Sequence, residues 1–444
     1  MKLSNLKIFE KDNFGHIECL VNNNKAWLKF NKLYLSYAQN TYDGFLVLIL
    51  LVAMKNNENI EIDGIISYKL YHNITTYLMS LIQILHPTFH IIKINCKGFD
   101  YGTNYNNSGI GCGLSCGVDS LSCLEDYYFN DCKTFKLTHV TNFYVGACNR
   151  KDTYMNRLKN VTDYVNETNL SLLHVDSNFT SINNLDHQYF HTFRNLAVPL
   201  FFQKLFKKYY YASCFSYFNS KIIKGSGSIT SAETTVVPLL STENLEYILH
   251  GAQYTRIEKT LRISSNKLSY KHLDVCVSSL HYTNINKILN CSECYKCLRT
   301  LVTLDYYNLI DKYNTVFDIN KYNKNKSNFL NNLDKSNPYD KEIIDLYKKK
   351  NNNNIIDNKL DNKLDNNLDN NLDNNNSNIW YAYKNDWDMI SYKQIKAKKN
   401  VFIKKNKDIH SDKLDNDSKK MINEGTILSL NDKQNDNNYH MVIL

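Results

Sequence analysis

Nowhere does this chain string together the roughly 20 apolar residues that a membrane-spanning helix requires. Its longest apolar stretch, Gly44 to Met54, covers about 11 residues and suits a buried helix instead, so no membrane partner is expected. The start, Met1-Lys2-Leu3-Ser4-Asn5-Leu6, has no apolar run behind it, so the expectation is no secretory leader and a cytoplasmic location. That reading sets disulfides aside for the 12 cysteines and leaves them buried, catalytic or metal-bound. Proline is scarce, at 4 residues, against abundant Asn and Lys, a bias that says little about function. No uninterrupted basic block marks a nucleic-acid tail, and nucleic acid is not expected as a partner.

What is there is apolar substance and a modest positive charge. Hydrophobic residues make up 43% of the 444, and 33 Tyr and 20 Phe add large rings, enough for a sizeable core and two domains with tails. The formal charge is +9. Residues 301–444 are nearly balanced, so the excess lies upstream. It is densest over 251–300, which holds Arg256, Lys259, Arg262, Lys267, Lys271, Lys287, Lys296 and Arg299. Basic groups so placed suit a phosphate-bearing ligand, or simply a solvated basic face.

The pattern along the chain predicts five segments. Residues 1–105 read as an α+β region of unassigned role: short strands over Leu6–Glu10, His16–Val21 and Ala26–Phe30, a buried helix near 41–55, an amphipathic helix near 66–85 and a strand over His90–Asn95. Residues 106–270 alternate strand, loop and helix. Strands are expected at Gly109–Leu114, Leu137–Val145, Leu170–Val175 and Lys208–Cys214. Helices are expected from Asp119, over 151–168 and over Arg194–Lys208. That alternation predicts an α/β fold with a doubly wound, mostly parallel sheet, whose ligands sit at the carboxyl ends of its strands. Residues 271–322 are cysteine-rich and end in a helix. Residues 323–378 are Asn/Asp-rich and low in complexity, with a Leu-Asp-Asn-Asn-like unit repeating from Ile356 to Asn375, so disorder is expected there. The tail 379–444 opens on an aromatic cluster, Trp380, Tyr381, Tyr383 and Trp387.

The most informative stretch runs Gly111-Cys112-Gly113-Leu114-Ser115-Cys116-Gly117-Val118-Asp119-Ser120. A Walker loop requires a Lys after its last Gly, and none is present. A dinucleotide fingerprint requires a strand ending just before Gly111, where the residues Tyr105–Ser108 are polar. A phosphate cup remains, with a capped strand-to-helix turn as the plain alternative. The hydroxyls of Ser115 and Ser120 and the N–H groups of Cys116, Gly117, Val118, Asp119 and Ser120 can ring a phosphate at a helix start, where unpaired N–H groups and the dipole favour anions. Asp119 suits the first helical turn and could help to position Mg2+.

A second cluster, Cys291-Ser292-Glu293-Cys294-Tyr295-Lys296-Cys297, spaces three thiols at Cys-x-x-Cys-x-x-Cys, and Cys276 is the nearest thiol upstream. Four such ligands suit tetrahedral zinc, and an iron–sulfur cluster takes similar ones. Lys296 and Arg299 are expected to offset thiolate charge.

Ser115-Cys116-Gly117-Val118-Asp119-Ser120 resembles the Ser-Gly-Gly-x-Asp-Ser signature of PP-loop ATP pyrophosphatases, with Cys116 in place of the first Gly. Paired with the downstream cysteines, it resembles 7-cyano-7-deazaguanine synthase and its relatives over roughly 108–305. The resemblance implies ATP, Mg2+ and structural zinc, a small-molecule substrate, and adenylation: a carboxylate or carbonyl oxygen attacks the α-phosphorus, pyrophosphate leaves, and a nucleophile displaces AMP. Such chemistry needs cations around the phosphates, for which Arg194, Arg256 and Lys259 are candidates. Glu233 and Glu243 are candidates to face the substrate. Two alternatives stand beside it. One is a binding protein that keeps the fold without catalysis, motivated by Cys116. The other is a tRNA sulfur-transfer enzyme using thiols such as Cys112, Cys116 and Cys148. Homo-oligomerisation stays open.

Overall fold

Alternating burial builds the first strands. Along β2 (Phe14–Val21) every second residue from Gly15 is buried, as a sheet with one packed face requires. The β1 (Lys2–Lys11) to β2 turn is made by Asp12 and Asn13, both at positive φ, 50° and 62°, the conformation of a tight hairpin. The computed structural model describes residues 1–130, 132–148, 150–183, 185–277 and 288–348, with the backbone of 381–384, 389–390, 428–432 and 437–442. The chain divides into two units, Met1–Asn358 and Lys359–Leu444.

In the first unit β3 (Asn24–Asn31), β4 (Ile60–Ser67), β5 (Ile94–Asp100), β6 (Gly109–Gly113), β7 (His139–Tyr144), β8 (Ser171–Ser177), β9 (Phe206–Ala212) and β10 (Glu246–His250) join β1 and β2 in one ten-stranded sheet. The order is β10-β9-β6-β7-β8-β3-β2-β1-β4-β5. Pairing is parallel from β10 to β8 and again across β1, β4 and β5; β8, β3, β2 and β1 pair antiparallel. The sheet is therefore α/β and mostly parallel, as the alternation predicts. Residues 1–105, read as a region by themselves, supply half its strands. The seam is the antiparallel pair β3–β8, which a strand pattern read locally does not reveal.

Helices cover both faces. The segments after β6 and β7, Val118–Leu124 and Lys151–Asn166, bury Leu121, Leu124, Val161 and Tyr164 in one apolar cluster. Those after β8 and β9, His187–Ala197 and Glu233–Leu239, bury Phe190, Phe193, Leu196 and Val236 in the other. The chain thus reverses direction at β6, which is flanked by β7 on one side and β9 on the other. A parallel sheet leaves its ligand crevice at such a reversal, beyond the carboxyl ends of the strands.

Helix Asp43–Asn56 anchors the first hundred residues to this core. It is buried almost all round and ends at Asn57, whose left-handed φ of 56° lets its N–H reach Ala53 and Met54. At its start the buried Asp43 carboxylate accepts from Ser67 N (2.7 Å), Ser67 Oγ (2.8 Å), Thr41 Oγ1 (2.8 Å) and Gln203 Nε2 (2.7 Å), and burial still pushes its pKa up. That network ties β4 and this helix to the segment before β9.

Three expectations shift. The strand expected over His90–Asn95 lies later, at Ile94–Asp100, where it pairs with β4. The helix expected at Arg194–Lys208 starts earlier, at His187, because Asp186 caps it by accepting from Gln188 N at 2.8 Å. It stops at Ala197 before a 3-10 turn over Pro199–Phe202, where proline cannot donate into the helix. Disorder over 323–378 does not hold at the start of that segment. Residues Ile319–Asn331 and 338–348 are helical, because Tyr322, Ile343 and Leu346 give the Asn/Lys-rich sequence apolar anchors, all buried. The Leu-Asp-Asn-Asn repeats lie outside the described residues. In the second unit, β11 (Tyr381–Lys384), β12 (Met389–Ile390), β13 (Leu428–Asp432) and β14 (Asn437–Val442) pair antiparallel in the order β12-β11-β14-β13. Among the described residues no helix is long and apolar enough to cross a membrane.

Gly44 lets helix Asp43–Asn56 sit directly on the one from His187: a Cβ there would lie 2.4 Å from Phe201 and 2.7 Å from the Ala197 carbonyl oxygen. Gly44→Ala should cost about 1–3 kcal/mol through overpacking, read as a lowered urea midpoint with unchanged slope.

Candidate functional site

A cleft of about 500 Å3 opens at the carboxyl ends of β6, β7 and β9, at the reversal point. Its floor is the segment Gly113–Ser120, with the Cys116 side chain turned away. Ser115 and Ser120 fold this segment back on itself. Their hydroxyls stand 3.4 Å apart, Gly117 N donates to Ser115 Oγ at 3.3 Å, and Ser120 Oγ donates to the Gly117 carbonyl at 3.0 Å.

Cys116 has a φ of 57°, the left-handed region that glycine adopts freely and that costs other residues roughly 1 kcal/mol. Its thiol is fully buried in the apolar cluster with Val118 and Leu121, and burial pushes its pKa well up. Its carbonyl accepts from Asp274 N at 2.9 Å, which ties the loop to the segment leading to Cys276.

Asp119, Arg256 and Lys259 come together as one ionic cluster. Arg256 Nη2 reaches Asp119 Oδ2 at 2.8 Å and Lys259 Nζ reaches Oδ1 at 3.0 Å. Helix Arg256–Ile263 presents both cations on one side, three residues apart, and a capping box between Thr255 and Glu258 fixes its first turn. Lys259 is 1% exposed and also donates to the Ser213 carbonyl at 2.5 Å. Gly251, at a φ of 86°, leaves the space its stem occupies, since a Cβ there would stand 3.1 Å from Lys259 Cε. Burial works to raise the Asp119 pKa, but the two cations outweigh it and hold the carboxyl below its ordinary value.

Arg194 is not part of this cluster. It lies buried behind the cleft wall, its Nη2 donating to His187 Nδ1 at 2.9 Å and its Nη1 packed where a side chain at Gly146 (φ 97°) would have to go. Burial lowers its pKa to about 10. What its helix shows to the cleft is His187, His191 and Asn195, one every fourth residue. Burial, then His191, Arg194 and Lys296, brings the His187 pKa down to about 4. With the helix expected to begin only at Arg194, this stripe goes unread; its i, i+4, i+8 spacing is the signal that would have shown it. Glu233 does not line the cleft and sits behind that stripe: its Oε1 lies 3.3 Å from His191 Nε2 and accepts from Thr192 Oγ1 at 2.9 Å. Glu243 is away from the cleft and accepts from Lys69 N at 2.6 Å. Of the thiols considered for sulfur transfer, Cys112 and Cys116 are buried in the core and Cys148 lines the cleft, as does Cys214.

The four sulfurs of Cys276, Cys291, Cys294 and Cys297 lie within 4.8 Å of one another and could hold a metal ion. Cys294–Cys297 and Cys291–Cys297 are 3.4 and 3.8 Å apart. Tetrahedral thiolates about 2.3 Å from a metal stand roughly 3.8 Å from each other, so the spacing fits one ion. No cysteine is in a disulfide. Asn290 sets the cluster's geometry. Its Oδ1 accepts from Val275 N (2.9 Å) and Cys276 N (3.1 Å), while its Nδ2 donates to the carbonyls of Leu273 (2.7 Å) and Val316 (3.0 Å). Helix Tyr295–Tyr306 starts inside the cluster, and through Cys276, Lys296, Arg299 and Thr300 the cysteine module forms one wall of the cleft. Lys296 and Arg299, expected to offset thiolate charge, therefore face the cleft.

Comparison with known proteins finds no matching family model, no matching curated protein and no matching solved structure.

Asp119→Ala should cost about 3 kcal/mol, because it leaves Arg256 and Lys259 buried without their carboxylate. Since the Asp119 pKa sits below its ordinary 3.8, this contribution is complete at neutral pH and is lost as the pH falls through the lowered value. Urea titrations from pH 7 to 3 should show the wild type and Asp119→Ala converging on the acid side. Elemental analysis should find one metal ion per chain, lost in Cys294→Ser together with several degrees of thermal stability.

Proposed function

We propose that this chain is an ATP-dependent adenylating enzyme of the PP-loop type, similar to 7-cyano-7-deazaguanine synthase. One observation carries the reading: the Ser115–Ser120 loop floors a cleft at the reversal point of the sheet, and the one side chain that departs from the PP-loop signature, Cys116, points into the core and leaves the loop's mouth open.

In this reading the loop's hydroxyls and N–H groups receive the pyrophosphate end of ATP. Arg256 stands on the cleft wall beside them and Lys259 just behind, so cationic charge meets the oxygens that become more negative as pyrophosphate departs. The substrate's carboxylate or carbonyl oxygen forms its bond to the α-phosphorus as the bond to pyrophosphate breaks, and a nucleophile such as ammonia then displaces AMP. Both Asp119 oxygens are committed to cations, which makes the loop a poor seat for a lone Mg2+. The ion is better accounted for as arriving on the triphosphate. The four-thiol cluster, closed by protein ligands on all sides, is read as structural zinc that holds helix Tyr295–Tyr306 in place. Visible absorbance with iron content would replace zinc by an iron–sulfur cluster.

With ATP, Mg2+ and a panel of small carboxylates, the protein should release pyrophosphate, and Gly117→Val, which fills the mouth of the loop, should abolish nucleotide binding. Failure of the wild type to bind ATP at millimolar concentration removes the reading. Cys116→Gly separates it from a binding protein without catalysis. Because the thiol stays out of the cleft, ATP affinity should change less than about threefold, within 0.7 kcal/mol; a large gain would mark a site that Cys116 had closed.

A further inference from the structure

The cleft has a second cationic wall that the phosphate loop does not use. Lys296 and Arg299 stand one helical turn apart on Tyr295–Tyr306, and both line the cleft. Their electrostatic situation is unlike that of Arg256. Arg256 has Asp119 at 2.8 Å, whereas among the described residues no carboxylate lies within salt-bridge distance of Lys296 or Arg299.

Arg299 is only 7% exposed, and its Nε has no hydrogen-bond partner. Its guanidinium lies 4.1 Å from the Tyr339 ring and 5.5 Å from that of Tyr295. Tyr339 is itself fixed, donating to the Cys214 carbonyl at 3.1 Å, and carries Arg256 at 5.4 Å as well. Two guanidinium groups thus share one ring; Arg256 has a direct ion pair with Asp119, while Arg299 feels Glu342 only beyond salt-bridge distance. Of the two acids that follow Tyr339, Asp340 accepts from Tyr295 OH at 2.6 Å and Asp334 N at 3.0 Å, and Glu342 accepts from Arg256 N at 2.8 Å and Ile257 N at 3.3 Å. Stacking orients Arg299 without neutralising it, and a buried charge without a close counter-ion is costly. A guanidinium held flat in a cleft beside an ammonium has the donor geometry for a carboxylate or phosphate.

We infer that Lys296 and Arg299 form an anion subsite, distinct from the Ser115–Ser120 loop, that binds a phosphate or carboxylate group of the ligand occupying the cleft. The four-cysteine cluster then has a purpose beyond stability, since it fixes the first turn of the helix that carries both cations.

Calorimetric titration of the metal-loaded full chain with inorganic pyrophosphate, ATP and succinate, each at low salt, tests this. Lys296→Gln and Arg299→Gln should each weaken at least one of these probes by about tenfold or more, the expected loss of a charge-assisted contact. Arg299→Lys should recover only part of the loss, because it restores charge without the planar stack. Weakening of pyrophosphate and ATP together identifies the nucleotide's phosphates as the anion; weakening of succinate alone identifies a second substrate's carboxylate. Lys296 is exposed, so Lys296→Gln reports on binding even if Arg299→Gln melts early in a parallel thermal scan. The inference is overturned if both variants bind every probe as the wild type does, or if the wild type binds none. A wild type that binds pyrophosphate through these residues but neither binds ATP nor releases pyrophosphate leaves the subsite standing and removes adenylation.

Discussion

The double ion pair of Asp119 with Arg256 and Lys259 is the constraint on which the cleft depends. It joins the first turn after β6 to the helix that follows β10, elements about 140 residues apart in the chain and on either side of the sheet's reversal point. Taking two cations out of water is costly, and only a carboxylate placed between them offsets it. The pair therefore fixes where helix Arg256–Ile263 can start. Through the Arg256–Tyr339 contact it also fixes where the helical segment 338–348 closes over the same end of the sheet.

The cysteine module meets this arrangement from the other side. Asp274 bonds to the loop through the Cys116 carbonyl and pairs with Arg157 at 3.7 Å, and two residues later Cys276 enters the thiol cluster. Loop, cluster and cleft wall are thus mechanically continuous. Loss of the metal is therefore expected to act on the cleft as well as on folding, a connection that neither the loop nor the thiol spacing expresses by itself.

Much of the parallel half of the fold was legible. The strands at Gly109, Leu137 and Leu170 are short runs rich in apolar and β-favouring residues between polar breaks, and their alternation with helices implies crossovers. The cysteine spacing was legible because three thiols at intervals of three residues on one turn-and-helix segment have few other uses. What stayed hidden depends on distant partners. The antiparallel seam β3–β8 pairs Leu28 with Ser177 and Phe30 with Val175, contacts that no local pattern encodes. Arg194 looked like a phosphate ligand because it is an arginine on a helix near the site, yet it is His187 and His191 on the same helix that face inward. Lys296 and Arg299 were assigned to the thiols by proximity in sequence, while helical geometry turns them toward the cleft. The composition of 323–348 suggested disorder because its apolar anchors, the buried Ile343 and Leu346 with Tyr322 just before them and the half-buried Tyr339, are few among the polar residues and still sufficient in context.

The central claim is that the backbone from Ser115 to Ser120 is a phosphate cup. Determining the structure of the full chain after soaking with ATP and Mg2+ tests it most directly. The account predicts phosphate oxygens within hydrogen-bond distance of the N–H groups that open helix Val118–Leu124, with Cys116 still turned into the core. A nucleotide bound elsewhere on the molecule, or a loop left empty at saturating ATP, would contradict it.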